Sequence, residues 1–484
     1  MALPPIPTLL WSFVSEPLAF LLCLGVHFLP AWIANSASTV LAAVGFDAAQ
    51  CHSYQPHVHS PFEGYYTRIT TKNGATILLI FSTVRNVKKE HKPHLVHFSY
   101  IPPENNGKAL VFNVYPDNIV FKGRTGGKGT ELELIAIDEH GQTIGTQVVS
   151  KDSTIDYQLT FPVDDGSIEV DIQLRKGAAW GGKGSIAGPG QSPEGPLSAL
   201  EYLLPLHWFV RSGSAEAEVN IEKILRKPTG EEEEEFVWQE QGRGHIEKNW
   251  GSGFPTGWVW IQSLVPITSN ENEAQSQESP PYVALAGGFT LGLKAFLLGF
   301  DIPLISRNST EKSINWTFRP IFTLLLPVPW FGGHVSPFCK EEYDSKNGIF
   351  KIQVLDWTWK DGWRKVDLTC RGPAAINSKC DSSITTNDYL ELPCPLSTGH
   401  DNLLAKETFE ASILVEAYVR KKSLPSCPLD SRSLGQWELI ATQCFEKGAL
   451  EWGGQYWGTK SAESRFNSDI WLNNFLDGKP KVTS

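Results

Sequence analysis

The chain has 484 residues, of which 20% are charged and 41% hydrophobic, a composition that excludes a largely disordered protein. Its formal net charge is -11 and no Lys or Arg occurs before Arg68, so no nucleic-acid partner is expected. Seventeen Trp, 25 Phe, 42 Gly and 32 Pro beside a single Met favour strands and turns over helical bundles. The same aromatic residues are suited to lining an apolar cavity.

Residues 1–50 are predicted to form a hydrophobic N-terminal segment. No residue between Glu16 and Asp47 is charged at neutral pH, and the run 18–34 could cross much of a bilayer as a helix. Small residues follow it, as at a signal cleavage site, although the positive charge that normally precedes a signal peptide is missing. These features predict a signal peptide or signal anchor and leave membrane association open. The alternative is a buried helix packed on the body of the protein.

The rest of the chain is predicted to form two β-rich domains, 51–240 and 241–484. Short apolar or alternating segments, such as 75–84 and 131–137, recur at short spacing and are separated by turn pairs such as Asn73-Gly74. The Gly-, Ser- and Pro-rich stretch 177–196 is predicted to be a loop or connection. A second set of strands is expected from near Val283 to Trp457. The pattern predicts a mainly all-β protein with barrel or sandwich domains.

Cysteines and glycosylation sequons favour the secretory pathway. Six of the eight Cys lie beyond residue 338 without CxxC or zinc spacing, so disulfides are predicted and no metal is expected. Sequons begin at Asn308 and Asn315. Together with the N-terminal segment, these features predict an ER-lumenal, membrane-associated or secreted protein.

The most distinctive segment is HIEKNWGSGFPTGWVWIQSLV, residues 245–265. It places Glu247 and Asn249 two residues apart and leads through a Gly- and Pro-containing turn into a strand. On that strand Trp258, Trp260 and Gln262 are expected to share one face. Such a face can line an apolar pocket and offer one hydrogen-bonding group, but the same pattern also fits a Trp-rich core strand.

The run EKNWGSGFPTGWVWIQ resembles the signature of tocopherol cyclases. Three other segments resemble that family in the same order: HSPFEGYYTRI with Tyr65 in place of Trp, LEYLLPLHWFV, and LEWGGQYWG. The matches span about residues 57–460 and leave the N-terminal segment and the cysteine-rich stretch uncovered. The resemblance implies two lipocalin-like β-barrel domains.

The resemblance also implies intramolecular cyclisation of a prenylated aromatic compound, without a redox cofactor or metal. In that reaction an acid protonates an alkene, and a phenol oxygen attacks the resulting cation to close a ring. The site needs a carboxylic acid of raised pKa and aromatic faces that stabilise a cation.

The candidates for these roles lie within the family-like segments. Glu247 is the first choice for the acid, and Glu63 and His207 are the other catalytic candidates. Each also has a structural interpretation: Glu247 bound to a distant Arg, Glu63 bound to backbone or an Arg, and His207 as a satisfied core residue. The predicted substrate-binding residues are Asn249 and Gln262, which would orient an oxygen, and the pocket walls Trp208, Trp250, Trp258 and Trp260.

The sequence thus predicts an intramolecular cyclase or isomerase acting on a hydrophobic prenylated or polyene small molecule. Two alternatives stay open: a Diels-Alder-type pericyclase, which would depend on pocket shape more than on Glu247, and a non-catalytic lipid or isoprenoid carrier. Because plant tocopherol cyclases work in plastids and this chain has secretory features, a repurposed relative is expected rather than a tocopherol-synthesising enzyme.

Overall fold

The structure is a computed structural model. It describes residues 54–87, 90–103, 109–123, 130–150, 154–180, 193–195, 206–226, 232–265, 280–290, 292–305, 312–320, 322–328, 333–358, 361–373, 389–400, 402–420 and 437–457. The predicted N-terminal segment, the sequon at Asn308, and Cys380 and Cys427 lie outside the described residues.

The first half of the chain forms one 11-stranded antiparallel sheet, in which the first strand pairs with the last. Its strand order is β4-β3-β2-β1-β11-β10-β9-β8-β7-β6-β5. The strands are β1 Phe62–Thr71, β2 Thr76–Val84, β3 His94–Ile101, β4 Leu110–Val114, β5 Asn118–Lys122, β6 Thr130–Ile137, β7 Thr143–Ser150, β8 Ile155–Val163, β9 Gly166–Ala178, β10 Leu206–Arg226 and β11 Glu232–Gly251.

The second half forms a 10-stranded sheet of order β15-β14-β13-β12-β23-β22-β20-β19-β18, with β21 also paired to β22, and a hairpin of β16 and β17. The strands are β12 Gly257–Leu264, β13 Tyr282–Thr290, β14 Leu293–Pro303, β15 Ser313–Phe318, β16 Leu326–Val328, β17 Gly333–Val335, β18 Cys339–Asp344, β19 Ile349–Thr358, β20 Gly362–Arg371, β21 Leu390–Leu392, β22 Ala405–Arg420 and β23 Trp437–Gly454. Short 3₁₀ turns occupy Ser345–Asn347 and Gln455–Trp457.

The two sheets follow the same path. In each, a four-stranded meander (β1–β4 or β12–β15) lies on one side of a central pair, and the later strands return towards that pair on the other side. The central pairs are β1–β11 and β12–β23. Each sheet encloses its own apolar cluster, with residues drawn from strands along its whole width. The prediction of an all-β protein with two barrel- or sandwich-like halves is therefore confirmed.

Burial patterns show where the two sheets meet. The outer strands β8 and β9 alternate buried and exposed positions, as strands with one solvated face do. In contrast, β12 is buried at every position and β1 at all but Gly64. A strand buried on both faces needs a cover on each side, so β1 and β12 lie between the core of their own sheet and the opposite sheet.

Arg68 of β1 joins the two sheets. Its side chain is buried, and Nη1 donates to the Oε1 of Gln262 on β12 over 2.7 Å and to its carbonyl oxygen over 3.2 Å. Nη2 donates to the carbonyl oxygen of Lys447 on β23. The guanidinium also lies 5.3 Å from the ring centroid of Phe409. A planar, permanently charged donor suits this position because its N–H groups satisfy several buried acceptors at once.

Three sequence-based expectations can be compared with the described part of the chain. The predicted boundary between residues 240 and 241 falls inside β11, and the sheets divide the chain at the turn 252–256 instead. Cys339, Cys370, Cys394 and Cys444 are free thiols, while the pairing of the remaining cysteines stays a prediction. Among the described residues, no helix has the length and apolar character needed to span a bilayer.

Candidate functional site

A cavity of about 480 Å³ lies between the two sheets. Its walls are mostly apolar and aromatic, including Phe62, Tyr66, Trp208, Phe254, Trp258, Trp260, Phe296 and Leu297. Three carboxyl groups, those of Glu194, Glu247 and Glu451, also line it. This volume and mixture of walls suit a hydrophobic small molecule held by a few polar groups.

Strand alternation divides the sequence-predicted residues between two faces of the first sheet. Glu247, Asn249 and Trp208 line the cavity. Glu63 and His207 lie directly opposite Trp250 on the neighbouring strands, and this row is on the other face. Trp258 and Trp260 of the second sheet do line the cavity, as expected for a shared face.

Glu247 is held by four nitrogen atoms. Its Oε2 accepts from Trp208 Nε1 at 2.8 Å and from Trp260 Nε1 at 3.2 Å, and lies 2.9 Å from His245 Nε2. Its Oε1 accepts from Asn249 Nδ2 at 3.3 Å. The carboxyl group therefore fixes two cavity-wall indoles, one from each sheet. The predicted structural alternative, a bridge to a distant Arg, is not what binds it.

Glu63 lies in a buried charge cluster behind the cavity wall. It forms ion pairs with Arg85 and, at 2.9 Å, with Lys248, and it accepts from the His57 backbone N–H at 2.9 Å. Burial opposes ionisation, but the Lys248 and Arg85 charges outweigh it and lower the pKa of Glu63 to about 2. An ionised, fully paired carboxylate is a structural anchor and a poor proton donor.

His207 and Trp250 form a stack on the same rear face. The Trp250 ring stacks on the imidazole of His207 at 5.0 Å and on that of His57 at 4.1 Å. His207 Nδ1 lies 2.9 Å from Glu194 Oε2, and Glu194 Oε1 accepts from the Trp208 backbone N–H at 2.7 Å. His207 thus contacts Glu194, a cavity-lining residue that the sequence interpretation did not identify.

Gln262 does not line the cavity either. Its side chain shares the face of Trp258 and Trp260, but its Oε1 is bound by Arg68. Its role in the structure is to join the two sheets rather than to orient an oxygen of a ligand.

Glu451 on β23 is the cavity-lining carboxyl group best suited to donate a proton. Burial is the main cause that raises its pKa to about 7; Glu247 adds to the rise, and a hydrogen bond from Trp258 Nε1 opposes it. At neutral pH a substantial fraction of the group is therefore protonated. It faces an apolar chamber in which an alkene could approach it.

A second buried carboxyl group lies beside Glu451. Glu407 on β22 is its direct cross-strand partner, and burial followed by the charge of Glu451 raises the pKa of Glu407 well above its usual range. Tyr66 donates to Glu407 Oε1 over 2.6 Å, whereas Glu407 Oε2 has no hydrogen-bond partner among the described residues. Two like charges so close in an apolar site are unfavourable, so the pair retains at least one proton at neutral pH.

The sequence signal for this carboxyl pair was weak. Glu451 lies within the LEWGGQYWG segment, where a lone acid between Leu450 and Trp452 was the available clue. Glu407 lies in an ordinary alternating strand. Among the described residues, no group of three or more His, Cys, Asp or Glu side chains is arranged to hold a metal ion.

Gly453 allows Trp258 to form the cavity wall. A Cβ at this position would lie 1.9 Å from Trp258 Cε2, so Gly453→Ala is expected to displace the indole and break its bond to Glu451. We expect a loss of about 1–3 kcal/mol in the free energy of unfolding, measured by urea titration, and a shifted tryptophan emission spectrum. Gly253→Ala is the matched control, since no atom lies within 4 Å of its added methyl group. Equal behaviour of the two variants would contradict the close contact.

No protein-family model matches this chain, and no curated protein sequence matches it. Among solved structures, it is similar to the crystal structure of CghA, with 10% identity and a TM-score of 0.39 over 82% of this chain and 88% of that one. For CghA with Sch210972 the identity is 9% and the TM-score 0.39, over 81% of this chain and 88% of that one. For kievitone hydratase from Nectria haematococca the identity is 12% and the TM-score 0.32, over 85% of this chain and 94% of that one. TM-scores this low carry no argument about function, and the resemblance to tocopherol cyclases stays a prediction.

Proposed function

We propose that the protein is an intramolecular cyclase or isomerase that acts on a hydrophobic prenylated or polyene compound in the cavity between its two sheets. The observation that carries the proposal is the position of Glu451, a carboxyl group with a pKa of about 7 in an aromatic-walled cavity. Neither Glu63, which is paired with cations, nor His207, which lies behind the wall, offers a comparable donor.

In the proposed step, the Glu451 proton moves to one carbon of a substrate alkene and leaves a tertiary carbocation on the other. The faces of Trp258, Trp260 and Tyr66 stabilise that cation while water is kept out. A hydroxyl oxygen of the same molecule attacks the cation and closes the ring. The oxygen then returns a proton to Glu451, so no atom is gained or lost.

Glu247 has a positioning role in this scheme and does not donate the proton. It fixes Trp208 and Trp260 in the cavity wall and, with Asn249, presents polar atoms on the side opposite β23. This departs from the sequence-based choice of Glu247 as the acid. The reason is that its oxygens already accept several hydrogen bonds from the protein, whereas Trp258 is the one hydrogen-bond donor to the Glu451 side chain among the described residues.

The test compares apolar extracts of the native host by untargeted mass spectrometry. The strains carry the wild-type protein, a deletion, Glu451→Gln or Glu438→Gln; Glu438 is an exposed residue of the same strand and serves as the matched control. We expect the deletion and Glu451→Gln strains to accumulate one compound and lose an isomer of equal mass, and the control to match wild type.

Other outcomes would favour the alternatives. If the deletion changes an isomer pair and Glu451→Gln does not, catalysis by pocket shape, as in a pericyclase, replaces acid catalysis. If no isomer pair changes in any strain, the enzyme proposal fails and a carrier using the same cavity becomes the better account.

A further inference from the structure

The ionisable side chains among the described residues that line the cavity are all acids. The described residues that line it include Glu194, Glu247 and Glu451, but no Lys, Arg or His. Glu407 is a fourth carboxyl group, one strand from Glu451. The nearest bases are already bound to acids or to acceptor oxygens. His245 lies 2.9 Å from Glu247 and His207 lies 2.9 Å from Glu194. Lys248 is paired with Glu63 on the rear face, and Arg68 donates to Gln262 and Lys447.

An anionic ligand would therefore be buried without a counter-charge. A carboxylate or diphosphate that enters this cavity loses its hydration and meets carboxyl groups of the same sign, which is strongly unfavourable. A cation instead meets acids that can ionise and the faces of Trp258, Trp260 and Tyr66, which attract positive charge.

We infer that the cavity is a cation-selective hydrophobic site, which binds a hydrophobic ammonium compound more tightly than the uncharged molecule of the same chain length and excludes the corresponding acid. This inference rests on the same cavity as the proposed function and deepens it. Once Glu451 has given its proton to an alkene, the site holds a carboxylate and an organic cation, and a bound ammonium ion reproduces that charge pair. We therefore expect the cavity to accept substrates that carry no acidic group.

Binding of a cation should also be coupled to ionisation of Glu451. An adjacent positive charge favours the ionised carboxyl, so a group that is about half protonated near pH 7 releases roughly half a proton when the cation binds. The other titratable groups that interact with Glu451 and Glu407 are Glu247 from β11, Tyr66 and Arg68 from β1, and Cys394, which also lines the cavity.

Isothermal titration calorimetry with three probes of equal chain length tests the inference. Decyltrimethylammonium and decanoate, each below its critical micelle concentration, and decanol, below its solubility limit in water, are titrated into the full chain at pH 7. We expect the ammonium ion to bind about tenfold more tightly than decanol, and decanoate at least about tenfold more weakly than decanol. Repeating the ammonium titration in buffers of different ionisation enthalpy measures the released protons.

Glu451→Gln is the decisive variant and Glu438→Gln its control. In Glu451→Gln we expect the ammonium preference to fall about tenfold and the proton release to disappear, while decanol binding is retained and shows that the cavity is intact. Decanoate binding as tight as that of the ammonium ion, proton release unchanged by Glu451→Gln, or no binding of any probe would each overturn the inference.

The outcome is independent of the extract experiment. Selective ammonium binding without an isomer pair in the host extracts would support a cation-selective binding protein and contradict the cyclase proposal. An isomer pair that depends on Glu451, together with binding that does not distinguish head-group charge, would support the cyclase proposal and contradict the inferred cation selectivity.

Discussion

Replacing Glu451 by Gln is expected to lower the turnover of the accumulated compound by about 10²–10⁴-fold, the usual contribution of a positioned general acid. Gln has nearly the same shape and can still accept from Trp258 Nε1, so the cavity wall is retained and the transferable proton is lost. The assay adds purified protein to the apolar extract of the deletion strain and follows the isomer of equal mass. Glu438→Gln should match wild type.

The pH dependence of that reaction has a defined sign. The acid acts in its protonated form, and its pKa lies near 7. Turnover is therefore expected to be constant at lower pH and to fall about tenfold per pH unit above about pH 7. A turnover rate that rises with pH across this range would exclude Glu451 as the proton donor, and so would wild-type turnover by Glu451→Gln.

Glu63→Ala is expected to reduce the free energy of unfolding by about 3–5 kcal/mol, the cost of breaking a buried ion pair. The variant leaves Lys248, which is fully buried, without its carboxylate partner. Urea unfolding at pH 7 measures the loss. Glu133→Ala, which breaks a partly exposed pair with Lys122, is the control and should cost less than about 1 kcal/mol.

The same carboxylate predicts acid destabilisation. The folded pKa of Glu63 is about 2, against an ordinary value of 4.5, so its contribution to stability is fully present above pH 4.5 and is lost as pH falls towards 2. The wild-type protein should therefore lose about 3 kcal/mol over this range that Glu63→Gln does not lose. A difference between the two proteins that does not depend on pH would show that Glu63 is not held ionised by its neighbours.

Glu63→Gln also separates a structural role from a catalytic one. If the folded variant converts the accumulated compound at the wild-type rate, Glu63 acts only in the charge cluster. A loss of turnover as large as that expected for Glu451→Gln would instead indicate that Glu63 takes part in catalysis as an acid.

The strands and the alternation of side chains along them could be predicted from the amino-acid sequence alone. Period-two patterning predicted the β-rich halves and placed Trp258 and Trp260 on one face because successive side chains of a strand point to opposite sides. By the same rule the neighbours Glu247 and Lys248 point to opposite faces of β11: Glu247 lines the cavity, and Lys248 pairs with Glu63 behind it.

Which face of each strand lines the cavity follows only from the packing of the two sheets. β1 and β12 are buried almost throughout. Their hydrophobic pattern therefore does not show which side chains face the core of their own sheet and which face the cavity between the sheets. For this reason Glu63, His207 and Trp250 could not be distinguished from the cavity-lining set. The pairing of β23 with both β12 and β22 brings Glu451 beside Trp260 and Glu407. These residues are distant in sequence, and the raised pKa of Glu451 arises mainly from burial, which exists only once the two sheets have closed over it.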